Sequence, residues 1–431
     1  MNQRKTIKAL DDTAGSRVIF LDNMRYLLVV GVVLQHASNS YMGLDWWPVK
    51  DDASVIVTWL NTFLDAFLMP SLFFVAGYFA VPSMRPRTLF SFLRAKAKRI
   101  GVPWLVCSLT ICPLLPAVYH FTRDGFAVRQ SFWDIYKALF RNAAELDIGF
   151  LPPMDMVMQN NLFYQRYMWF LGVLMLFFVI FGCLYQARPV WFARKLPEKM
   201  DGKTSYFSDL KLMLAIGIIT SLGSTLLILI MFLLADGISD PETWLSLGNL
   251  VQFRLSRIFL YSTYFFLGIV AFRNRWFDRG RLTRHVRVKS VVTAFLVFLL
   301  LTVKYQMMHG PDHLEQVFGL LFWLVLNGVC ISALGFFLSL CFRYLSKPRP
   351  FHKSMAENSY EIYLSHYLFI ILFQLALLPV AWMPGLLKFT VVSAAGLISS
   401  VTVSRYLVRR HTGLTVVILF GLLIGLILFY R

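Results

Sequence analysis

Apolar runs long enough to cross a bilayer recur along almost the whole chain. They fall near residues 18–40, 55–80, 100–120, 167–186, 210–234, 256–272, 290–306, 316–342, 358–380, 388–406 and 412–430. The pattern predicts an all-α polytopic bundle of about ten to eleven spans. The polar connections alternate in character. The N-terminus (Arg4, Lys5, Lys8, Arg17) and every even connection are basic, among them 85–99, 188–203, 273–289, 343–353 and 405–410. The odd connections are near neutral or acidic, such as DWWPVKDD at 45–52 and ADGISDPE at 235–242. The positive-inside rule therefore places the N-terminus and the even connections in the cytoplasm. The longest external connection, about 121–166, carries tryptophan, proline and mixed charges. It is expected to hold a short helix or to cover an outward cavity. The chain divides into a basic N-terminus (1–17), a ten-span membrane domain (18–406) and an additional apolar span (412–430).

Composition agrees. The 431 residues are 58% hydrophobic and 15% charged, with a mean hydropathy of +0.62. A soluble chain is near half apolar and a quarter charged. The net charge of +19 would point to nucleic acid in a soluble protein. Here the basic cytoplasmic connections account for it, so the expected partner is the lipid bilayer and not nucleic acid. Cys107, Cys112, Cys183, Cys330 and Cys341 lie in or beside apolar runs without metal-type spacing. Neither a disulfide framework nor a metal site is expected, nor a permanently bound cofactor. MNQRKTIKAL followed by an apolar run resembles a signal peptide, but Asp22 and Arg25 interrupt that run, which reads as an uncleaved first span.

The chemistry begins in this first run. LDNMRYLLVVGVVLQHASNS carries Asp22, Arg25 and His36 at membrane depth, where charge is costly and tends to mark function. Arg25 and His36 are eleven residues apart, three turns plus roughly 20°, so they share a helix face about 16 Å long. Asp22, Asn39 and Ser40 lie within about 60° of that stripe. Near the external face, His36 suits a general base for a hydroxyl of an extracytoplasmic acceptor. Polar groups packed between helices are the plainer alternative. Asn61 and Asp65, at i and i+4 in the second run, sit at a similar depth, and Asp65 is a candidate partner for a protonated His36.

Two further segments stand out. RPRTLFSFLRAKAKRIGVP (85–103) is a basic connection with more charge than orientation requires. Its Arg94, Lys96, Lys98 and Arg99 suit a phosphorylated donor such as a coenzyme A thioester. ENSYEIYLSH (357–366) places His366 about eight residues inside the ninth run, roughly 12 Å from its cytoplasmic end. Ser359 and Tyr363 share its face and Glu361 points away. That cluster serves either helix packing or function. His309, Asp312 and His313 flank the turn dipeptide Gly310–Pro311 and read as a solvated loop.

These segments together resemble the acyltransferase-3 family of integral membrane O-acyltransferases. The resemblance rests on Asp22 and on Arg25, ten residues, then His36. It continues through FFVAGYF (73–79), Lys96 and Arg99 before IGVP, WFLGVL (169–174) and SYEIYLSH (359–366), in the family's order across 17–405. It implies a ten-span fold that carries acyl groups to sugars of surface or periplasmic glycans. It also implies that His36 is catalytic, that Arg25 is required and that the basic pair handles the donor. GYF and IGVP are most similar to the glucan biosynthesis protein C branch, which succinylates periplasmic glucans. Lys96 stands where arginine is usual, Ala76 where serine is common, and 412–430 would be an eleventh span. The expected function is acetyl or succinyl transfer from cytoplasmic acyl-CoA to a glycan hydroxyl across a bacterial inner membrane. A proton-coupled secondary transporter and a non-catalytic partner of a glycan assembly complex are the alternatives.

Overall fold

The computed structural model describes residues 18–123, 130–193, 206–234, 242–278 and 280–429. The basic segment 1–17, Lys195, Lys199 and Lys203 lie outside the described residues, as does most of ADGISDPE. Ten helices among the described residues are long and apolar enough to cross a membrane. An eleventh, α1 (Ile19–Ser38), has the length but carries Asp22, Asn23, Arg25, Gln35 and His36. Its neighbours are protein on most sides: Leu21, Met24, Leu28, Val32 and Val33 are all buried. A helix surrounded by other helices need not match lipid. The chain is an integral membrane protein with an all-α bundle fold.

The bundle is centred on α2 (Val55–Met84), whose apolar window is 78% buried, against 6% for Thr412–Phe429 at the periphery. The element after α2 departs from expectation. Of residues 85–103 only 85–88 form a loop: α3 (Leu89–Lys96) begins at an N-cap, Thr88, whose hydroxyl accepts from the Ser91 amide at 3.3 Å. A π turn at Ala97–Gly101 then leads into α4 (Val102–Thr110), with Pro103 in its first turn, and α5 (Leu114–Arg123). After α6 (Phe132–Ala144) comes a strand, β1 (Ile148–Phe150), and then α7 (Met154–Gln159). The spans α8 (Trp169–Ala187), α9 (Pro189–Ala193, a short piece) and α10 (Tyr206–Leu234) follow. Strands β2 (Trp244–Leu247) and β3 (Val251–Arg254) complete an antiparallel sheet of order β1-β2-β3 with register Gly149↔Ser246 and Leu245↔Phe253. This small sheet joins two connections far apart in sequence and was not foreseen.

Helix α11 (Leu255–Arg273) crosses α2 with backbones in contact. A Cβ built on Gly77 would lie 1.9 Å from the Phe265 carbonyl oxygen, and one on Gly268 would lie 2.1 Å from that of Phe74. The FFVAGYF segment is therefore a helix-crossing point that only glycine fits. Gly77→Ala forces the two central helices apart and is expected to cost about 1–3 kcal/mol, read as a lowered Tm of the purified protein in detergent.

The remaining helices are α12 (Val286–His309), α13 (Glu315–Tyr344), α14 (Pro350–Leu377), α15 (Gly385–Val403) and α16 (Thr412–Phe429). Helix α14 starts eight residues earlier than the apolar run suggests. Pro350 at its first position and extended backbone at Arg349 set the start. His366 is consequently sixteen residues into its helix and not eight, while His36 is seventeen into α1.

Candidate active site

Helices α1 and α14 run side by side in the same direction, linked by polar contacts along their length. At one end, Asn23 Nδ2 donates to the carbonyl of Leu345, which caps α13, at 2.7 Å, and Tyr26 Oη meets His352 Nδ1 of α14 at 2.6 Å. Arg25 donates from Nε to Ser359 Oγ (3.2 Å) and from Nη2 to the Ala356 carbonyl (3.0 Å), and pairs with Asp22 at 3.4 Å. Further along, His36 Nδ1 lies 2.8 Å from His366 Nε2, with the rings nearly parallel at 22°. Beyond them Gln374 donates to the Ala37 carbonyl (3.1 Å) and accepts from Trp47 Nε1 (2.9 Å). Equal depth in parallel helices is what brings the two histidines together.

The pair has a direction. His366 Nδ1 is 2.7 Å from the Tyr363 carbonyl oxygen. A carbonyl only accepts, so this nitrogen carries the proton. In the neutral pair His366 Nε2 is then the acceptor, His36 Nδ1 the donor, and His36 Nε2 keeps its lone pair. Exposure separates the two roles further. His366 is completely buried, whereas His36 retains part of its surface. His36 is thus the more accessible imidazole of the pair and His366 lies behind it.

Aromatic rings wall the pair. Tyr367 stands edge-on to His36 at 5.0 Å and stacks on Tyr167 at 4.6 Å; Tyr167 is edge-on to His366 at 5.5 Å. Tyr167 Oη donates to the Leu364 carbonyl at 2.8 Å, and Tyr363 Oη donates to the Tyr167 carbonyl. The segment carrying Tyr167 is tied to the small sheet: Gln165 N donates to Gln252 Oε1 (2.7 Å) and Gln165 Nε2 to the Asn249 carbonyl (2.9 Å).

Asp65, expected beside His36, is held elsewhere. It accepts from Arg257 Nη2 at 2.9 Å and from Gln35 Nε2 at 3.0 Å. A buried guanidinium outbids an imidazole for a carboxylate because its charge is permanent. Asn61 holds the end of α1, donating to Ser38 Oγ (2.6 Å) and the Gln35 carbonyl (3.2 Å). Arg257 also reaches Glu242, which pairs with Arg254 at 2.6 Å. Burial alone would raise the Glu242 carboxyl, but Arg257 and Arg254 outweigh it and take it down to about 2. Its stabilisation is therefore present above the ordinary value of 4.5 and lost as pH falls toward 2. The Tm gap between wild type and Glu242→Gln should stay constant from pH 8 to about 5 and close below 4.5, which thermal melts across pH will read.

The basic segment splits. Arg94, Lys98 and Arg99 are exposed on α3 and the π turn. Lys96 is not with them: its Nζ sits 4.1 Å over the Phe178 ring and 5.2 Å over Phe92. The Arg99 carbonyl accepts from Tyr360 Oη at 2.7 Å, next to Ser359, so this segment is fastened to α14 at the level of Arg25. Tyr167, Tyr367, Arg257 and Arg166 were missed in the sequence. Nothing in the spacing of a tyrosine or a flanking arginine separates a site wall from an interfacial anchor.

The bundle thus holds two imidazoles in contact between α1 and α14, one of them partly accessible. The family model described as "Acyltransferase domain" matches residues 18–430, and the chain belongs to that acyltransferase-3 family: it is an integral membrane acyltransferase. Among curated proteins it is similar to Glucans biosynthesis protein C of Escherichia coli (strain SMS-3-5 / SECEC), 29% identical over 107 residues. That match spans 25% of this chain and 26% of the relative. No solved structure matches.

Proposed function

We propose that the protein transfers an acetyl or succinyl group from cytoplasmic acyl-CoA to a hydroxyl of an extracytoplasmic glycan. The observation that carries this reading is the His36–His366–Tyr363 carbonyl chain, which leaves His36 Nε2 as an accessible base within the bundle. In the proposed step His36 Nε2 takes the acceptor hydroxyl proton. The oxygen attacks the thioester carbonyl, the C–S bond breaks, and the departing coenzyme A thiolate recovers the proton from the imidazolium. His36 then returns to its resting tautomer without net change.

Charge distribution supports the sidedness. The exposed Arg94, Lys98 and Arg99 lie at the same end of α1 as Arg25. The positive-inside rule makes that end cytoplasmic and suits it to the donor's phosphates. The opposite end, with the small sheet and the Asp65–Arg257–Glu242 cluster, would face the periplasm and the acceptor. On this reading the membrane is the bacterial inner membrane. The donor-handling residues are Arg94, Lys98 and Arg99, with Lys96 shaping the helix through its aromatic contacts.

The test is release of coenzyme A by purified protein supplied with acetyl- or succinyl-coenzyme A and a glucan. Acceptor-dependent thiol release is the expected result. Flux of an intact solute in proteoliposomes without thioester consumption would establish the transporter instead.

A further inference from the structure

A tryptophan in a connection between two spans ordinarily anchors at the membrane interface, with its ring half in water. Trp47, in the connection between α1 and α2, does not. Its ring is turned inward and is only 1% exposed. Its Nε1 donates to Gln374 Oε1 at 2.9 Å. Gln374, itself completely buried, donates in turn to the carbonyl of Ala37, the residue after His36. The indole also lies 5.4 Å from the Tyr367 ring, the same ring that stands edge-on to His36 at 5.0 Å. Trp47 therefore reaches the histidine pair by two short routes, one through an amide and one through a ring.

The connection around Trp47 is tied down on several sides. Arg123 Nη2 donates to the carbonyls of Asp45 (2.7 Å) and Trp47 (3.0 Å), and Thr122 Oγ1 donates to that of Pro48 (2.6 Å). Ser40, just past α1, donates from Oγ to the Val49 carbonyl. Lys388 of α15 pairs with Asp51 at 2.9 Å, and both side chains are buried. Ties from α5, α15 and the end of α1 thus fix where the indole sits. Trp46 gives the contrast: it meets Trp47 edge-on at 5.6 Å but keeps part of its surface.

Truncating Trp47 has two physical consequences beside His36. Tyr367 loses the ring that backs it and gains room to turn away from the imidazole. The vacated space is lined by Gln374 Oε1, now without its donor, so it is both roomy and polar and admits water.

We propose that Trp47 is a positioning and specificity-determining residue for acyl transfer: it backs Tyr367 and satisfies Gln374, and so holds the His36 ring and keeps water from that end of the α1–α14 seam. The inference rests on the acyl-transfer reading of His36. Water that reaches His36 competes with the acceptor. It gives a proton to His36 Nε2 while its oxygen attacks the thioester carbonyl. The C–S bond breaks, coenzyme A leaves as the thiol with the proton returned by the imidazolium, and the acyl group leaves as the free acid.

The experiment compares wild type, Trp47→Phe, Trp47→Ala and Trp46→Ala, with acetyl- and succinyl-coenzyme A in the presence and absence of a glucan. Trp47→Ala should lose about 10- to 100-fold in kcat for acceptor-dependent thiol release, as a small misplacement of a catalytic group does, with the donor KM unchanged. The share of thiol released without acceptor should rise. Trp47→Phe keeps a ring against Tyr367 and should recover most of the rate; Trp46→Ala should match wild type. Trp47→Leu replaces the alanine variant if that one does not fold. A second readout is independent of turnover: the rate at which diethylpyrocarbonate modifies His36, followed by peptide mass spectrometry with His352 as the reference. It should rise in Trp47→Ala and stay unchanged in Trp46→Ala. Wild-type coupling and modification in Trp47→Ala, or equal effects at Trp46 and Trp47, overturn the proposal. Should wild type release no thiol from either donor, the acyl-transfer reading fails, and the modification rate of His36 still decides whether Trp47 shields it.

Discussion

His36→Ala should lower kcat for acyl transfer by about 10²–10⁴-fold, the range lost with a positioned general base. The fold should survive, because His36 makes a single side-chain hydrogen bond among the described residues, to His366, and its other neighbours, Tyr367 and Tyr167, are held by contacts of their own. Donor binding should be retained, since the exposed basic residues lie at the other end of α1. The check is a single-turnover measurement of thiol release with donor binding measured in parallel. Undiminished release would remove His36 from the chemistry and leave the polar face of α1 as a packing device.

The second large effect is expected at His366. Removing it in His366→Ala leaves His36 Nδ1 without its acceptor, so the ring can rotate and can place its proton on Nε2. Roughly a hundredfold loss in kcat with little change in KM should follow. His366→Gln keeps an acceptor oxygen on a chain of similar reach and should recover part of the rate. A merely structural role would lower Tm in both variants alike and give no advantage to glutamine. The pattern of rescue is therefore the decisive comparison, with melts of each variant alongside.

Much of the architecture was legible because bilayers punish exceptions. Ten of the apolar runs correspond to helices whose length and composition suit a membrane. The run at α1 was visible too, although its polar residues dilute its hydropathy. Boundaries were lost where helices extend past the apolar region. Residues 350–357 (PFHKSMAE) mix polar and apolar side chains, so their helicity is not marked by a continuous apolar run. That shift alone displaced His366 in depth and hid its meeting with His36. The segment at 85–103 failed for the same reason: α3 is an amphipathic helix lying before the span. The sheet was invisible because its strands are three or four residues each and pair across about a hundred positions. At the site, the types and spacing of Arg25, His36, Ser359 and His366 marked them from one helix at a time. Which helix faces which was not legible, and so Asp65 was matched to His36 when Arg257, far along the chain, holds it.

The two histidines are separated by 330 positions. A ribosome that feeds helices into the membrane from the N-terminus inserts His36 first and His366 among the last. Through most of its synthesis the protein therefore holds His36 without His366, and α1 waits for its contacts with α14. Early helices that carry a polar stripe are dependent on late ones for shelter. Assembly of α14 against α1 is thus what completes the polar seam, and a nascent chain that stops short of residue 350 carries Arg25 without its bond to Ser359 and His36 without its bond to His366.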